Sequence, residues 1–255
     1  MLLIFDIGNT TIATGLFDRD KFIDQVKIPT AAAADISFVE NTISGFLKEN
    51  QADSRTCDVV AICSVVPYLT PPIAKMAETM FSKKAWVFDH TAHLDMKIHY
   101  NDPAQLGSDR LANALATKLL YGTPAIVVDL GTATKLEVVN KAGEYLGGAI
   151  APGIAIAAEQ LFERGARLFP VDIEKPEKII STNSADAMKA GIFYGAIGQI
   201  DYLVKKMLDE LGEKDVKIIA TGGLAEKFVP YSKFIQKYDP ILTFQGIRLG
   251  FELSR

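Results

Sequence analysis

The sequence predicts an α/β fold built twice. Two strands end in the same kind of turn, Asp6-Ile7-Gly8-Asn9 and Asp129-Leu130-Gly131-Thr132, offset by 123 residues in a chain of 255. Each turn follows a short apolar run, Leu2-Leu3-Ile4-Phe5 in one case and Ala125-Ile126-Val127-Val128 in the other. After each, strand and helix patterns alternate in a similar order. The chain therefore divides into two α/β halves, 1–115 and 116–255, each of ordinary domain size.

In the first half a buried strand, Leu2 to Ile7, leads through Gly8-Asn9-Thr10 into a second strand ending at Phe17. The polar run Asp18-Arg19-Asp20-Lys21 turns the chain into a third, Phe22 to Ile28. Ile36, Val39, Ile43, Phe46 and Leu47 recur at helical spacing, so a helix is expected over Asp35 to Asn50. Strands at Val59 to Cys63 and Ala85 to Phe88 bracket a helix over Ile73 to Phe81, opened by Pro71-Pro72. Asp109 then begins a helix with Leu111, Leu115 and Leu119 on one stripe, which Gly122 and Pro124 end.

The second half reopens with the strand from Ala125, followed by strands at Lys135 to Val139 and Tyr145 to Ile150. Helices are expected near Ile154 to Glu163 and Ala185 to Leu211, then a strand at Val216 to Ala220 and a last helix near Phe244 to Leu253. The apolar stripe of the long helix suits either core or contact with a second copy.

With 27 basic and 31 acidic side chains the net charge is −4, and no basic stripe is present, so a nucleic-acid partner is not expected. Asp6 interrupts the apolar opening and no Lys or Arg precedes it, so it does not read as a signal peptide. No apolar run approaches the roughly 20 residues that cross a bilayer. Two cysteines, Cys57 and Cys63, make neither a disulfide framework nor a four-cysteine zinc site, and a reducing cytoplasm is the expected location. His90, His93 and His99 lie in a turn-like segment without helical period and read as polar loop.

The repeated turn points to phosphate chemistry. A strand ending in Asp-x-Gly puts one carboxylate at the mouth of a sheet, while Gly lets the backbone turn tightly and aim N–H groups at an anion. Two such turns would face each other around a triphosphate and its metal. Neither a Gly-x-x-x-x-Gly-Lys-Ser/Thr loop nor a helix-opening Gly-x-Gly-x-x-Gly occurs, so any phosphate site is built another way.

The ordered set Asp6-Ile7-Gly8-Asn9-Thr10, Gly107-Ser108-Asp109-Arg110, Asp129-Leu130-Gly131-Thr132-Ala133-Thr134, Gly147 to Gly153 and Thr221-Gly222-Gly223 resembles the type III pantothenate kinases. These belong to the superfamily of acetate and sugar kinases, heat-shock chaperone ATPases and actin. The resemblance implies a duplicated ribonuclease-H-like, actin-like ATPase fold with a nucleotide cleft. It also implies ATP-dependent phosphorylation of pantothenate to 4′-phosphopantothenate, the first step of coenzyme A biosynthesis. Mg²⁺, a monovalent cation (K⁺ or NH₄⁺) and a homodimer with its active site near the interface come with it.

By the same resemblance Asp6, Ile7, Gly8, Asn9, Thr10, Thr11, Ile12 and Ala13 hold phosphates, with Asp6 near the metal. Asp129 is the monovalent-cation ligand and Thr132 an ATP contact; Tyr100, Gly107, Ser108, Asp109, Arg110 and Ser184 match pantothenate-binding positions, and Asp109 the catalytic base. An acid in a first helical turn can also be a dipole partner, and Arg110 a surface helix ion pair. Position 108 is often Ala in the family, and its Ser suits a helix cap.

The family's usual Asp-x-Gly-Thr-Ala-Thr-Thr-Phe-Asp reads here with Lys135-Leu136-Glu137 after Thr134. Lys135 would add a cation near ATP, displace the monovalent ion, or point to solvent from an alternating strand, the last being favoured. Two other functions fit the scaffold: a phosphohydrolase of the same superfamily, and a catalytically reduced nucleotide-binding regulator.

Overall fold

In the computed structural model, which describes residues 1–255, the apolar run opening each half becomes the central strand of a five-stranded sheet. β1 (Leu2–Ile7) pairs antiparallel with β2 (Thr11–Asp18), and β2 with β3 (Lys21–Pro29). On its other side β1 runs parallel to β4 (Val59–Ser64), and β4 to β5 (Trp86–Phe88). The second sheet contains β6 (Ala125–Leu130), β7 (Ala133–Val139), β8 (Tyr145–Pro152), β9 (Lys217–Thr221) and β10 (Lys237–Tyr238). Its order, β8-β7-β6-β9-β10, repeats β3-β2-β1-β4-β5 with the same parallel and antiparallel senses. The duplication read from two turns is thus a duplication of whole sheets.

The helices are α1 (Ile36–Glu49), α2 (Thr70–Phe81), α3 (Ser108–Tyr121), α4 (Ile154–Arg164), α5 (Ser184–Leu211), α6 (Ala225–Phe228) and α7 (Leu242–Leu253). Local chemistry sets several ends. Asp35 caps α1, its Oδ1 accepting from the N–H groups of Ser37 at 3.0 Å and Phe38 at 3.4 Å. Pro71 and Pro72 fit the first turn of α2, where no intrahelical acceptor awaits an N–H. Asn183 caps α5, and Gly212 ends it at φ +65°, the left-handed region that glycine enters without a Cβ clash.

The chain forms two units. The first comprises Met1–Asp95, Asn101–Ala116 and Leu242–Arg255, and the second Met96–Tyr100 and Thr117–Ile241. In the first, Leu3, Phe5 and Ile7 of β1 meet Val39, Ile43 and Phe46 of α1 and Ile73 and Ala77 of α2 in one core. Each of the larger side chains among these, fully buried, contributes roughly 1.5–3 kcal/mol.

The opposite sheet face of the first unit packs on α7. There Phe244 stacks on Phe22 at 6.0 Å between centroids, and Phe251 meets Trp86 edge-on at 5.6 Å. Gly246 brings α7 against the backbone of α3: a Cβ there would lie 1.9 Å from the Ala112 carbonyl oxygen. In the second unit Ile126, Val128 and Leu130 of β6 and Leu136 and Val138 of β7 form a core with Phe193, Ile200 and Val204 of α5 and Phe228 of α6. Most of the α5 stripe is therefore core, while Tyr202 is exposed.

Candidate functional site

Parallel pairing in the first unit sets the carboxyl ends of β1 and β4 side by side, Asp6 beside Cys63 and Ile7 beside Ser64. The chain leaves β1 through a tight turn closed by the Gly8 N–H donating to the Thr11 carbonyl at 3.0 Å. Thr30, at the end of β3, pins this turn twice: its hydroxyl donates to the Gly8 carbonyl at 2.7 Å and its N–H to the Thr10 carbonyl at 2.9 Å. Asn9 and Thr10 stand exposed at the tip and Ile12 returns into the core, so a polar tip sits on an apolar root.

The Gly107-Ser108-Asp109-Arg110 segment is tied to the same sheet end. The Ser108 hydroxyl donates to the Ser64 carbonyl at 2.9 Å, so Ser108 anchors the start of α3 to β4 and does not spend its hydroxyl on a helix cap. Asp109 Oδ1 accepts from the Arg110 N–H at 2.8 Å. A Cβ on Gly107 would come within 2.7 Å of that same oxygen, so glycine here makes room for the Asp109 carboxylate. Arg110 is buried, 5% exposed, and is no surface ion pair. Two sequence motifs a hundred residues apart thus share one sheet end.

The second unit repeats the device with a shorter turn. The Gly131 N–H donates to the Ala133 carbonyl at 3.2 Å, and across the hairpin Asp129 registers with Lys135. In the first hairpin the residue registered with Asp6 is Ala13. Lys135 does not point to solvent: its Nζ lies 2.8 Å from Asp129 Oδ2, and the two side chains are 15% and 11% exposed. Directly registered residues of an antiparallel pair share a face, and here that face is covered, which overrides the outward expectation.

Around Asp129 the other turns close in. A Cβ on Gly222, whose φ is +96°, would sit 2.6 Å from Asp129 Oδ1, and one on Gly153 would sit 2.0 Å from the Thr132 carbonyl oxygen. Both glycines therefore let backbone wrap the Asp129–Thr132 segment, with Thr132 itself exposed. Further along β7, buried Glu137 accepts the Tyr145 hydroxyl at 2.5 Å.

Tyr100 and Ser184 occupy other places in this unit. Tyr100 lies beside β8, its ring 6.3 Å from that of Tyr145, and Ser184 is the exposed first residue of α5. Ser184 lines an apolar trough of about 650 Å³ between α4 and α5, with Ile154, Leu161 and Met188. Sequence reading missed Ser64 and Thr30 as anchors, for which no motif exists. For Lys135 it favoured solvent over the cation's place at Asp129, and the one-residue-shorter turn brings the lysine to Asp129 instead. No cluster of three or more His, Cys, Asp or Glu able to hold a metal occurs, and no helix is long and apolar enough to cross a membrane.

Comparison with known proteins supplies the family. The model of the type III pantothenate kinases matches residues 2–206. The type III pantothenate kinase of Geotalea daltonii is 39% identical over 256 aligned residues, covering 100% of this chain and 99% of that protein. That of Koribacter versatilis is 35% identical, covering 100% and 96%. The chain belongs to the type III pantothenate kinase family. Among solved structures, the (R)-2-hydroxyglutaryl-CoA dehydratase component A of Acidaminococcus fermentans is similar with a TM-score of 0.57 at 14% identity, over 99% of this chain and 96% of that one. A ROK hexokinase from Thermus thermophilus follows at 0.50 and 13%, over 98% and 97%. These likenesses speak for the fold alone: the duplicated ribonuclease-H-like α/β fold expected from the sequence.

Membership of a kinase family implies a nucleotide and a divalent metal, and the residues fit both. The tips of both turns, Asn9 and Thr10 in the first and Thr132 in the second, stand exposed with polar groups that suit phosphate oxygens. Mg²⁺ takes hard oxygen donors, commonly one or two carboxylates plus the substrate's phosphates, so Asp6 beside a polar turn suits it without a protein cage. A monovalent cation fits poorly at Asp129, because the Lys135 ammonium already stands there.

Proposed function

We propose that this chain transfers the γ-phosphoryl group of ATP to the terminal hydroxyl of pantothenate, giving 4′-phosphopantothenate and ADP in the first step towards coenzyme A. One observation carries the reading beyond family membership. The Asp6 turn and the Asp109 helix start, which the resemblance assigns to phosphate and to acceptor, are fastened to the same sheet end through Ser64.

In this reading the turn from Gly8 to Ala13 orients the phosphates through its exposed tip at Asn9 and Thr10, the Gly8 N–H being engaged with the Thr11 carbonyl, and Thr132 adds a contact from its own turn. Mg²⁺ held at Asp6 would neutralise developing charge on the phosphoryl oxygens. Asp109 orients the acceptor hydroxyl and takes its proton as the new O–P bond forms and the bond to ADP breaks. Holding Asp109 Oδ1 on the Arg110 N–H fixes the carboxylate's direction. The planar guanidinium of Arg110 suits the pantothenate carboxylate or the phosphoryl group in transit. Tyr100, Gly107, Ser108 and Ser184 are pantothenate contacts in the same proposal.

A homodimer with its active site near the interface belongs to this reading, supported by the apolar trough between α4 and α5 that Ser184 lines. A cytoplasmic location is supported by Cys57 and Cys63, both buried and unbridged. The test is ADP release coupled to pantothenate in the presence of Mg²⁺. Asp109→Asn should lower turnover by roughly 10²- to 10⁴-fold while ATP binding, read by calorimetry, persists. Phosphate release that ignores pantothenate would make the chain a hydrolase instead.

A further inference from the structure

We propose that the Lys135 ammonium stands in for a monovalent cation at Asp129, so that phosphoryl transfer by this chain needs neither K⁺ nor NH₄⁺. The inference rests on the kinase reading above and concerns the charge that the second turn carries.

Three observations support it. The first is the contact: Lys135 Nζ lies 2.8 Å from Asp129 Oδ2, with both side chains largely shielded from water. An alkylated ammonium carries the same single charge as K⁺ or NH₄⁺ and, like NH₄⁺, donates hydrogen bonds to the oxygens that K⁺ would coordinate. The second is the register. Shortening the second turn by one residue relative to the first puts Lys135 directly opposite Asp129, where the first hairpin has Ala13 opposite Asp6. One duplicated position therefore carries a methyl group beside the carboxylate proposed to meet Mg²⁺, and a tethered cation beside the other.

The third is closure. While Oδ2 meets Lys135, Asp129 Oδ1 lies against Gly222 and Gly131, where added Cβ atoms would come within 2.6 and 3.4 Å of it, and Asp129 is only 7% exposed. The remaining acidic group on this face of β7 is Glu137, which takes the Tyr145 hydroxyl. A second cation brought to Asp129 would meet a like charge within the same small space, which disfavours it. A tethered ammonium, by contrast, is present whatever the salt and gives up no freedom of a separate ion on arrival.

Lys135 acts here through Asp129 and the turn, as a positioning residue. The test compares wild type and Lys135→Thr, desalted into tetramethylammonium chloride and then supplied with KCl or NH₄Cl at equal ionic strength. Wild-type turnover should change less than about twofold between salts, whereas Lys135→Thr should lose on the order of 10²-fold without K⁺ and recover when K⁺ or NH₄⁺ is added. Rescue by an ion is not what a merely structural lysine would give. A wild type silent without K⁺, or a variant equally active in every salt, overturns the proposal.

Thermal melting supplies an arm independent of catalysis. K⁺ should raise the melting temperature of Lys135→Thr and leave wild type unmoved relative to tetramethylammonium, because only the variant has a cation site to fill. Equal shifts in both proteins would overturn the proposal. If ADP is released in no salt by either protein, the kinase reading fails, while the melting comparison still decides who occupies Asp129.

Discussion

Replacing Gly153 by alanine tests whether the Asp129–Thr132 turn is held by contact with the start of α4. Gly153 has φ −64° and ψ 149°, a conformation any residue adopts, so alanine brings no backbone strain and its effect is purely one of space. The added Cβ would lie 2.0 Å from the Thr132 carbonyl oxygen, 2.6 Å from its carbon and 2.9 Å from the Gly131 oxygen. Ordinary C···O contacts fall at about 3.3–3.6 Å, so the turn or the helix must retreat by roughly 1.3 Å or more. The obstacle is main chain, and no rotamer relieves it. Overpacking of this kind costs roughly 1–3 kcal/mol, and at about 2–4 °C per kcal/mol for a chain of this size the melting temperature should fall by about 2–12 °C. A displacement above about 1 Å in a turn proposed to position ATP should also lower kcat/KM for ATP on the order of 10²-fold. Gly45→Ala is the control, since a Cβ there meets nothing within 4 Å on the exposed side of α1; it should melt at or slightly above the wild-type temperature. Differential scanning calorimetry and ATP kinetics read both variants. A Gly153→Ala protein with wild-type melting and wild-type ATP kinetics would refute the argument that this glycine fixes the turn.

Two further outcomes follow from contacts inside single units. Gly246→Ala should destabilise the first unit by at least about 1–3 kcal/mol, because its Cβ meets the Ala112 backbone at 1.9 Å; the urea midpoint measures it. Tyr145→Phe removes the hydroxyl that buried Glu137 accepts, and since taking a partner from a buried polar group costs about 1–3 kcal/mol, the urea midpoint should fall with unchanged slope.

Much of the fold was legible because its signals are local. A strand buried on both faces is apolar throughout, so Leu2–Ile7 and Ala125–Leu130 announce themselves, and a carboxylate breaking such a run, as Asp6 and Asp129 do, marks a strand mouth. Helix α1 carries its own cap and α2 its opening prolines, and both carry an apolar stripe. What the sequence hides is partnership. The apolar stripe of α7 reads alike whichever sheet it covers, and β10 is two residues long, too short for any period. Ser108 looks like a cap until its partner, the Ser64 carbonyl, is brought to it by β4. The position of Lys135 was encoded in the length of the turn, yet alternation along one strand tells only which residues share a face, and not whether that face is covered. The site was accordingly readable as motifs, while the contact that distinguishes the second turn from the first came from pairing across strands.

The return of α7 to the first unit has a consequence for synthesis. A ribosome delivers β1 to β5 early, with the whole second sheet emerging before Leu242–Leu253. Domains generally fold as they emerge, from the N-terminus onward. Here the first sheet must wait with the face that will receive Phe244 and Phe251 unfilled, so the unit begun first is the last to be completed. Its Asp109 helix start, held on α3 where α7 crosses at Gly246, acquires its final support only when the last helix arrives. A nascent chain cut short before that helix therefore lacks a finished version of both the sheet that carries the Asp6 turn and the support of the Asp109 helix start.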